Sequence, residues 1–177
     1  DGILAKDGKR LSLNLWTHSE DPNRMQSIEL LQQLYKSVGV ETVLKVQDFP
    51  AFSAAVQASQ HQMALLVWGS DYFDPNSNAQ AYCENPDDSD TSKLKILAWR
   101  SHFKDAELTR LSQEAAKELD SAKRIAKYKD MQEKFAARSP FAMLLQKNAS
   151  AVMAKTVSGF QIGPLPDYTH YHTINKA

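Results

Sequence analysis

Two hydrophobic periods alternate along the first half of the chain, and that alternation leaves few folds open to it. Leu11, Leu13 and Leu15 alternate with Ser12, Asn14 and Trp16, the period of a half-buried strand, which is read at about residues 10–16. Ser19-Glu20-Asp21-Pro22 then offers capping residues and a proline suited to a first helical turn. Met25, Ile28, Leu31, Leu34, Tyr35 and Val38 recur at helical spacing as far as Gly39. Val40, Val43, Leu44 and Val46 make a second strand, and Asp48 caps a helix with Phe49, Phe52, Ala55 and Val56 on one face. The order is βαβα, which predicts an α/β fold with a sheet flanked by helices.

Met63-Ala64-Leu65-Leu66-Val67-Trp68-Gly69 is a continuous apolar run of strand length, as expected for a strand buried on both faces of the sheet. From Gly69 to Ser92 there is no Lys or Arg, and Asp, Asn, Ser and Pro dominate, so a long loop is expected there. Asp105 starts a helix with Leu108, Leu111 and Ala115. Asp120 caps another with Ala122, Ile125, Tyr128, Met131 and Phe135, ended by Ser139-Pro140. Phe141 to Gln146 reads as a further strand, Val152 to Val157 as a short element, and 159–177 as an extended tail.

The 177 residues fit one domain, with 42% apolar residues and 21 basic against 21 acidic side chains. A balanced charge lacks the basic footprint of most nucleic-acid-binding domains, so nucleic acid is not an expected partner. The one cysteine, Cys83, supports neither an internal disulfide nor a zinc knuckle. The chain starts at Asp1 with no initiator Met and no signal-peptide layout, and is expected to be a piece of something longer.

Ligands of α/β sheets sit beyond the carboxyl ends of the strands, which directs attention to Trp68-Gly69-Ser70-Asp71-Tyr72-Phe73-Asp74-Pro75. Aromatic rings beside carboxylates suit a cationic amine, because a partly desolvated Asp pairs with an ammonium and a ring face adds about 0.5–2 kcal/mol. The same residues also suit plain Asx turns before Pro75, with Asp74 the better turn residue of the two. A hydrolase or metalloenzyme would use Asp71 and Asp74, or His170 and His172, whose spacing places both rings on one face of an extended strand. Two His without a third ligand fall short of a zinc site, and no HExxH, GxSxG, Walker or GxGxxG motif occurs. No metal and no cofactor is expected, and Cys83 has no obvious His partner for a catalytic thiol. Lys123, Lys127, Lys134 and Arg138 gather near one face of the last long helix. Glu118, Asp120, Asp130 and Glu133 interleave with them, so a solvated, ion-paired face is expected. Trp16, His18 and Arg24 lie where the first strand meets its helix, at another carboxyl end of the sheet.

Taken in order, several segments resemble the carboxyl-terminal part of a solute-binding protein of the dipeptide/oligopeptide ABC-transporter family. They are Leu30-Leu31-Gln32-Gln33-Leu34, Val38-Gly39-Val40, Phe52-Ser53-Ala54-Ala55-Val56, Met63 to Pro75, Trp99-Arg100, Asp105 to Leu108, Glu118-Leu119-Asp120, Lys123-Arg124 with Tyr128, Ser139-Pro140-Phe141 and Val157 to Phe160. The resemblance implies a periplasmic-binding-protein-like (type II) lobe over 1–177, with a mixed sheet and the opposing N-terminal lobe absent. It implies a periplasmic or extracytoplasmic protein that captures a ligand without catalysis and hands it to an ABC permease in the membrane. It also implies that Asp71 meets the α-ammonium of a peptide, with Trp68, Tyr72 and Ser70 beside it. The family also includes opine, nickel-chelate, haem and sugar receptors, and in some members a Cys in this region is disulfide-bonded, which would need a partner for Cys83 outside this chain. A hydrolase using Asp71 and Asp74, or a stand-alone interaction domain, are the alternatives.

Overall fold

The computed structural model describes residues 2–146, 148–163, 165 and 168–177. A short antiparallel ribbon, β1 (Ala5–Lys6) with β2 (Lys9–Arg10), leads into β3 (Ser12–His18). Helix α1 (Pro22–Ser37) begins where Asp21 accepts the Asn23 and Arg24 N–H groups, and Pro22 supplies a first position that needs no N–H. It ends in a Schellman turn in which the Gly39 N–H donates to the Lys36 carbonyl and the Val40 N–H to that of Tyr35. Gly39 has φ of 82°, and a Cβ there would lie 2.7 Å from Leu4 Cγ, so only glycine fits.

Strand β4 (Glu41–Gln47) runs parallel to β3 over its whole length, from Ser12 opposite Glu41 to His18 opposite Gln47. Asp48 caps α2 (Phe49–Gln57) through the Ala51 N–H, and β5 (Met63–Ala64) pairs parallel on the other side of β3, giving the order β4-β3-β5. Next come α3 (Pro75–Cys83), the single turn α4 (Leu97–Arg100), α5 (Ala106–Lys117) and α6 (Ser121–Arg138). The antiparallel ribbon of β6 (Val157–Ser158) with β7 (Asn175–Lys176) follows.

Contacts divide the chain into two compact units, Asp1–Trp68 with Ser89–His102, and Gly69–Asp88 with Phe103–Ala177. In the first, Leu15, Ile28, Phe52, Val56, Leu97 and Trp99 are buried, and the Trp99 indole N–H donates to the Ser89 carbonyl at 3.0 Å. In the second, Leu108, Leu111 and Ala115 of α5 pack with Tyr128 and Met131 of α6 and with Ala79 and Cys83 of α3. Phe103, Phe135 and Tyr82 border that core.

Several elements differ from the sequence reading. The apolar run from Met63 contributes only Met63–Ala64 to the ladder, closed by the Leu65 N–H donating to the Trp16 carbonyl, and Val67 is exposed. The expected loop over 69–92 contains α3. Its buried positions are Ser77, Ala79, Ala81 and Cys83, small residues that leave no strong hydrophobic period to read. Phe141 to Gln146 forms no strand among the described residues. Phe141 packs against Tyr82 and Phe135, while Met143, Leu144 and Leu145 are exposed with no neighbouring strand to pair with. Of Val152 to Val157 only the last residue enters a strand. The tail is not simply extended, since it holds a 3-10 turn at Tyr171–Thr173 and folds β7 back on β6; Pro164, Pro166 and Asp167 lie outside the described residues.

Leu108 is fully buried at the centre of the second unit. Leu108→Ala is expected to destabilise that unit by about 2–5 kcal/mol through lost burial and a residual cavity. Urea denaturation followed by the fluorescence of its tyrosines checks this, and a loss below about 1 kcal/mol would contradict the packing described.

Candidate functional site

The first stretch of the first unit ends at Trp68, which is half-buried, and Gly69 opens the second unit. Ser70, Asp71, Tyr72 and Asp74 therefore belong with α3, α5 and α6. Asp74 and Pro75 start α3 as cap and first residue, with Asp74 Oδ1 accepting the Asn76 N–H at 2.7 Å. The first turn of α3 then reaches back along the bend that precedes it. Ser77 Oγ accepts the Asp71 N–H at 2.9 Å, Asn76 Nδ2 donates to the Tyr72 hydroxyl at 3.0 Å, and Ser70 Oγ donates to Asn78 Oδ1 at 3.0 Å. The Asp74 N–H donates to the Tyr72 carbonyl at 2.9 Å.

The two carboxylates of this bend have opposite surroundings. Asp71 is exposed, and its carboxylate has no hydrogen-bond or ion-pair partner among the described residues, although its backbone is fixed. Tyr72 is partly exposed beside it. Asp74 has both oxygens engaged by Arg124 of α6, at 2.9 and 2.7 Å. Hydrogen bonding from Arg124, then from the Asn76 N–H, holds the Asp74 carboxyl below the usual carboxylate range, and the same pair raises the Arg124 guanidinium. Asp71 and Asp74 are thus a free carboxylate and a structural one.

The remaining sequence candidates fall elsewhere. Burial, followed by the charges of Asp105 and Glu84, pushes the Cys83 thiol up to about 12, the opposite of an activated nucleophile. His170 and His172 do not share a face of a strand: a 3-10 turn starts at Tyr171 and the rings meet edge to face at 5.6 Å. Among the described residues no group of three or more His, Cys, Asp or Glu side chains is placed to hold a metal. On α6, Lys127 pairs with Glu118, Lys134 with Glu107 and Asp130, and Arg138 with Asp105 and Glu107. Hydrogen bonds from Lys134 and Arg138 hold Glu107 down to about 2. In the first unit His18 is buried with its ring edge on Phe49, and the Arg24 guanidinium meets its Nε2 while pairing with Asp21 at 3.6 Å. Trp16 lies on β3, level with Lys45 and Ala64.

Sequence reasoning noted Arg124 but missed its pairing with Asp74, and it missed Ser77 and the polar network after α3. Thr109 Oγ1 donates to the Cys83 carbonyl and accepts the Asn85 N–H, Ser112 Oγ donates to Glu84 Oε1, and Asn85 Nδ2 donates to Asp88 and to the Phe103 carbonyl. Asn76-Ser77-Asn78 directly after Asp74-Pro75 was the available signal, a polar first helical turn able to bond back to the preceding bend.

Two consequences are measurable. Asp74, Asp105 and Glu107 all have folded pKa values below their unfolded ones, for Asp105 because hydrogen bonds outweigh the opposing effect of burial. Their stabilisation is complete above the unfolded carboxylate range of about 4 and is lost as pH falls toward 2. The urea midpoint should fall across that window, and Asp74→Asn should flatten the fall; an equal slope in the variant would count against the Arg124 pair. Cys83 should react with a disulfide reagent at pH 8 only as fast as the fold opens, and completely in urea. Rapid stoichiometric labelling of the folded chain would contradict its burial.

Known proteins resemble this chain in sequence and fold. The chain is 25% identical over 167 residues to the oligopeptide-binding protein AppA of Bacillus subtilis, covering 94% of this chain and 30% of that protein. It is 24% identical over 182 residues to a dipeptide-binding protein of Pseudomonas aeruginosa, covering 98% of this chain and 32% of the other. It therefore spans about a third of the length of these relatives. Among solved structures, Bacillus subtilis AppA in complex with a nonapeptide superposes on 100% of this chain and 34% of its own, with a TM-score of 0.78 at 22% identity. NikZ from Campylobacter jejuni, in complex with Ni(L-His), covers 78% of this chain and 27% of its own, with a TM-score of 0.65 at 26% identity. The fold is that of type II periplasmic binding proteins, as the ordered motifs imply. The family model for the middle region of the bacterial extracellular solute-binding proteins, family 5, matches residues 1–90, a span that contains the whole Trp68–Asp74 segment. The chain belongs to that family.

Proposed function

We propose that this chain forms most of one lobe of the solute-binding component of an ABC importer, a protein that captures a peptide or a related amine-bearing small molecule outside the cytoplasm. Residues 1–177 act as a single lobe, the rest of a two-lobed receptor closes over the ligand, and a membrane permease receives it. The observation that carries this reading is the Asp71 carboxylate: exposed, without a protein partner among the described residues, and mounted on a backbone that Ser77 fixes. Such a group is suited to an incoming ammonium, which supplies a charge-assisted hydrogen bond. Within the same unit, Tyr72 supplies an aromatic wall and Ser70 a polar border. The names of the relatives, an oligopeptide-binding and a dipeptide-binding protein, support the same ligand class.

Ligand capture here involves no bond-making. A hydrolase would need Asp74 as a partner to Asp71, and both Asp74 oxygens are held by Arg124. No observation favours the stand-alone interaction domain over the receptor.

The test is a thermal-shift screen of the complete receptor against di- and oligopeptides and their N-acetylated forms, followed by titration of the best ligand. Binding raises the apparent stability by mass action, and blocking the amine should abolish the shift. Asp71→Asn is expected to weaken binding by about 1.5–3 kcal/mol, the worth of a charged hydrogen bond. An unchanged dissociation constant would remove Asp71 from the site.

A further inference from the structure

Arg124 reaches from α6 to three separate parts of the second unit. Its Nη1 and Nη2 donate to the two Asp74 oxygens, Nη2 also to the Tyr128 hydroxyl at 3.2 Å, and Nε to the Ala115 carbonyl at 3.2 Å near the end of α5. Its guanidinium carbon stands 5.1 Å from the centre of the Tyr128 ring. Each nitrogen is thus engaged by the protein, and four of the five N–H groups are spent on these bonds.

What Arg124 holds is the bend that carries Asp71. Apolar packing of α3 against the core is made by Ala79 and Cys83, so the core secures the helix from its middle onward. The end next to the bend depends on polar contacts. Asp74 caps the helix, receives Arg124, and through its own N–H closes on the Tyr72 carbonyl, one residue from Asp71. Asp71 is tied by its N–H to Ser77 on the same helical turn. Anything that lets this turn move moves the Asp71 carboxylate with it.

We infer that Arg124 is the positioning residue of the amine site: without touching ligand, it fixes through Asp74 where the Asp71 carboxylate stands. The inference rests on the reading of Asp71 as a ligand contact. A guanidinium makes two parallel bonds to a carboxylate and so fixes its orientation as well as its distance, which the single ammonium of a lysine does not do.

Two measurements test it. In the 177-residue chain, Arg124→Gln should speed amide exchange at Asp71, Asp74 and Ser77 by about tenfold or more while Leu111 and Met131 keep their protection, with Arg124→Lys in between. Unchanged exchange at the bend, or loss of protection throughout the unit, would overturn the inference. In the complete receptor, with trialanine and N-acetyl-trialanine as probes, Arg124→Gln should weaken trialanine binding by about tenfold and narrow its advantage over the acetylated form. In an Asp71→Asn background the same change should add almost nothing, because Arg124 acts only through Asp71. A full additive loss there overturns the inference. If Asp71→Asn weakens binding and Arg124→Gln does not, the inference alone falls. If Asp71→Asn leaves trialanine binding unchanged, the role of Asp71 falls and the inference with it.

Discussion

The ion pair between Asp74 and Arg124 joins two segments 50 residues apart, and the second unit is organised around it. Both side chains are only partly exposed, so neither is fully hydrated and neither is desolvated deeply enough for burial to outweigh their attraction. Asp74 does three things at once: it starts a helix, anchors that helix to α6, and closes a backbone bond inside the bend. A neutral residue keeps the backbone bond but cannot form the ion pair, and an alanine neither caps the helix nor anchors it. The Tyr128 hydroxyl and ring meet the same guanidinium, which makes α6 the platform and α3 the element it holds.

The same chemistry recurs along the chain. Among the described residues, each of the five helices longer than one turn is capped by an aspartate: Asp21, Asp48, Asp74, Asp105 and Asp120. Four of those starts are plain in the sequence, because a capping residue is followed by a hydrophobic period that shows what the cap begins. Asp74-Pro75 has the same cap and the same proline, but Asn76, Ser77 and Asn78 follow, and the residues that α3 buries are small. Asp-Pro before a polar stretch reads equally as a turn, and only the packing of Ala79 and Cys83 on α5 and α6 decides for a helix. The residues that fold α3 are thus remote in sequence from the residues that start it.

Strands divide along a similar line. β3 and β4 were legible because seven residues of each pair in unbroken register, so the alternation in the sequence has a full ladder behind it. Met63 to Val67 and Phe141 to Gln146 are as apolar as any strand, yet the first pairs over two residues and the second over none among the described residues. Hydrophobicity and β propensity state a capacity for pairing, and pairing itself needs an edge that a local pattern cannot reveal. The site shows the same split. Residue types alone left Asp71 open between an amine contact and an Asx turn, and the bonds of Ser77 to its N–H and of Arg124 to Asp74 could not be read, because they exist only once α3 and α6 are side by side.

Asp71 and Asp74 lie in one bend, and the contrast between them is what the proposed amine site rests on. A carboxylate that already has a partner offers a cation little, and one on a mobile backbone must first be ordered at a cost in entropy. On the proposed reading Asp71 avoids both penalties: its carboxylate has no partner among the described residues and its backbone is fixed in advance, so less would be lost were an ammonium to dock. Exposure sets the limit on what it can contribute. At about 4 Å an ion pair is worth about 1 kcal/mol in bulk water and about 4 kcal/mol at the effective dielectric of a partly enclosed site. In the proposed receptor an open lobe would therefore hold an amine weakly by this contact. The attraction would become strong only when a second surface excludes water from it, which is a physical reason to divide such a site between two lobes that close.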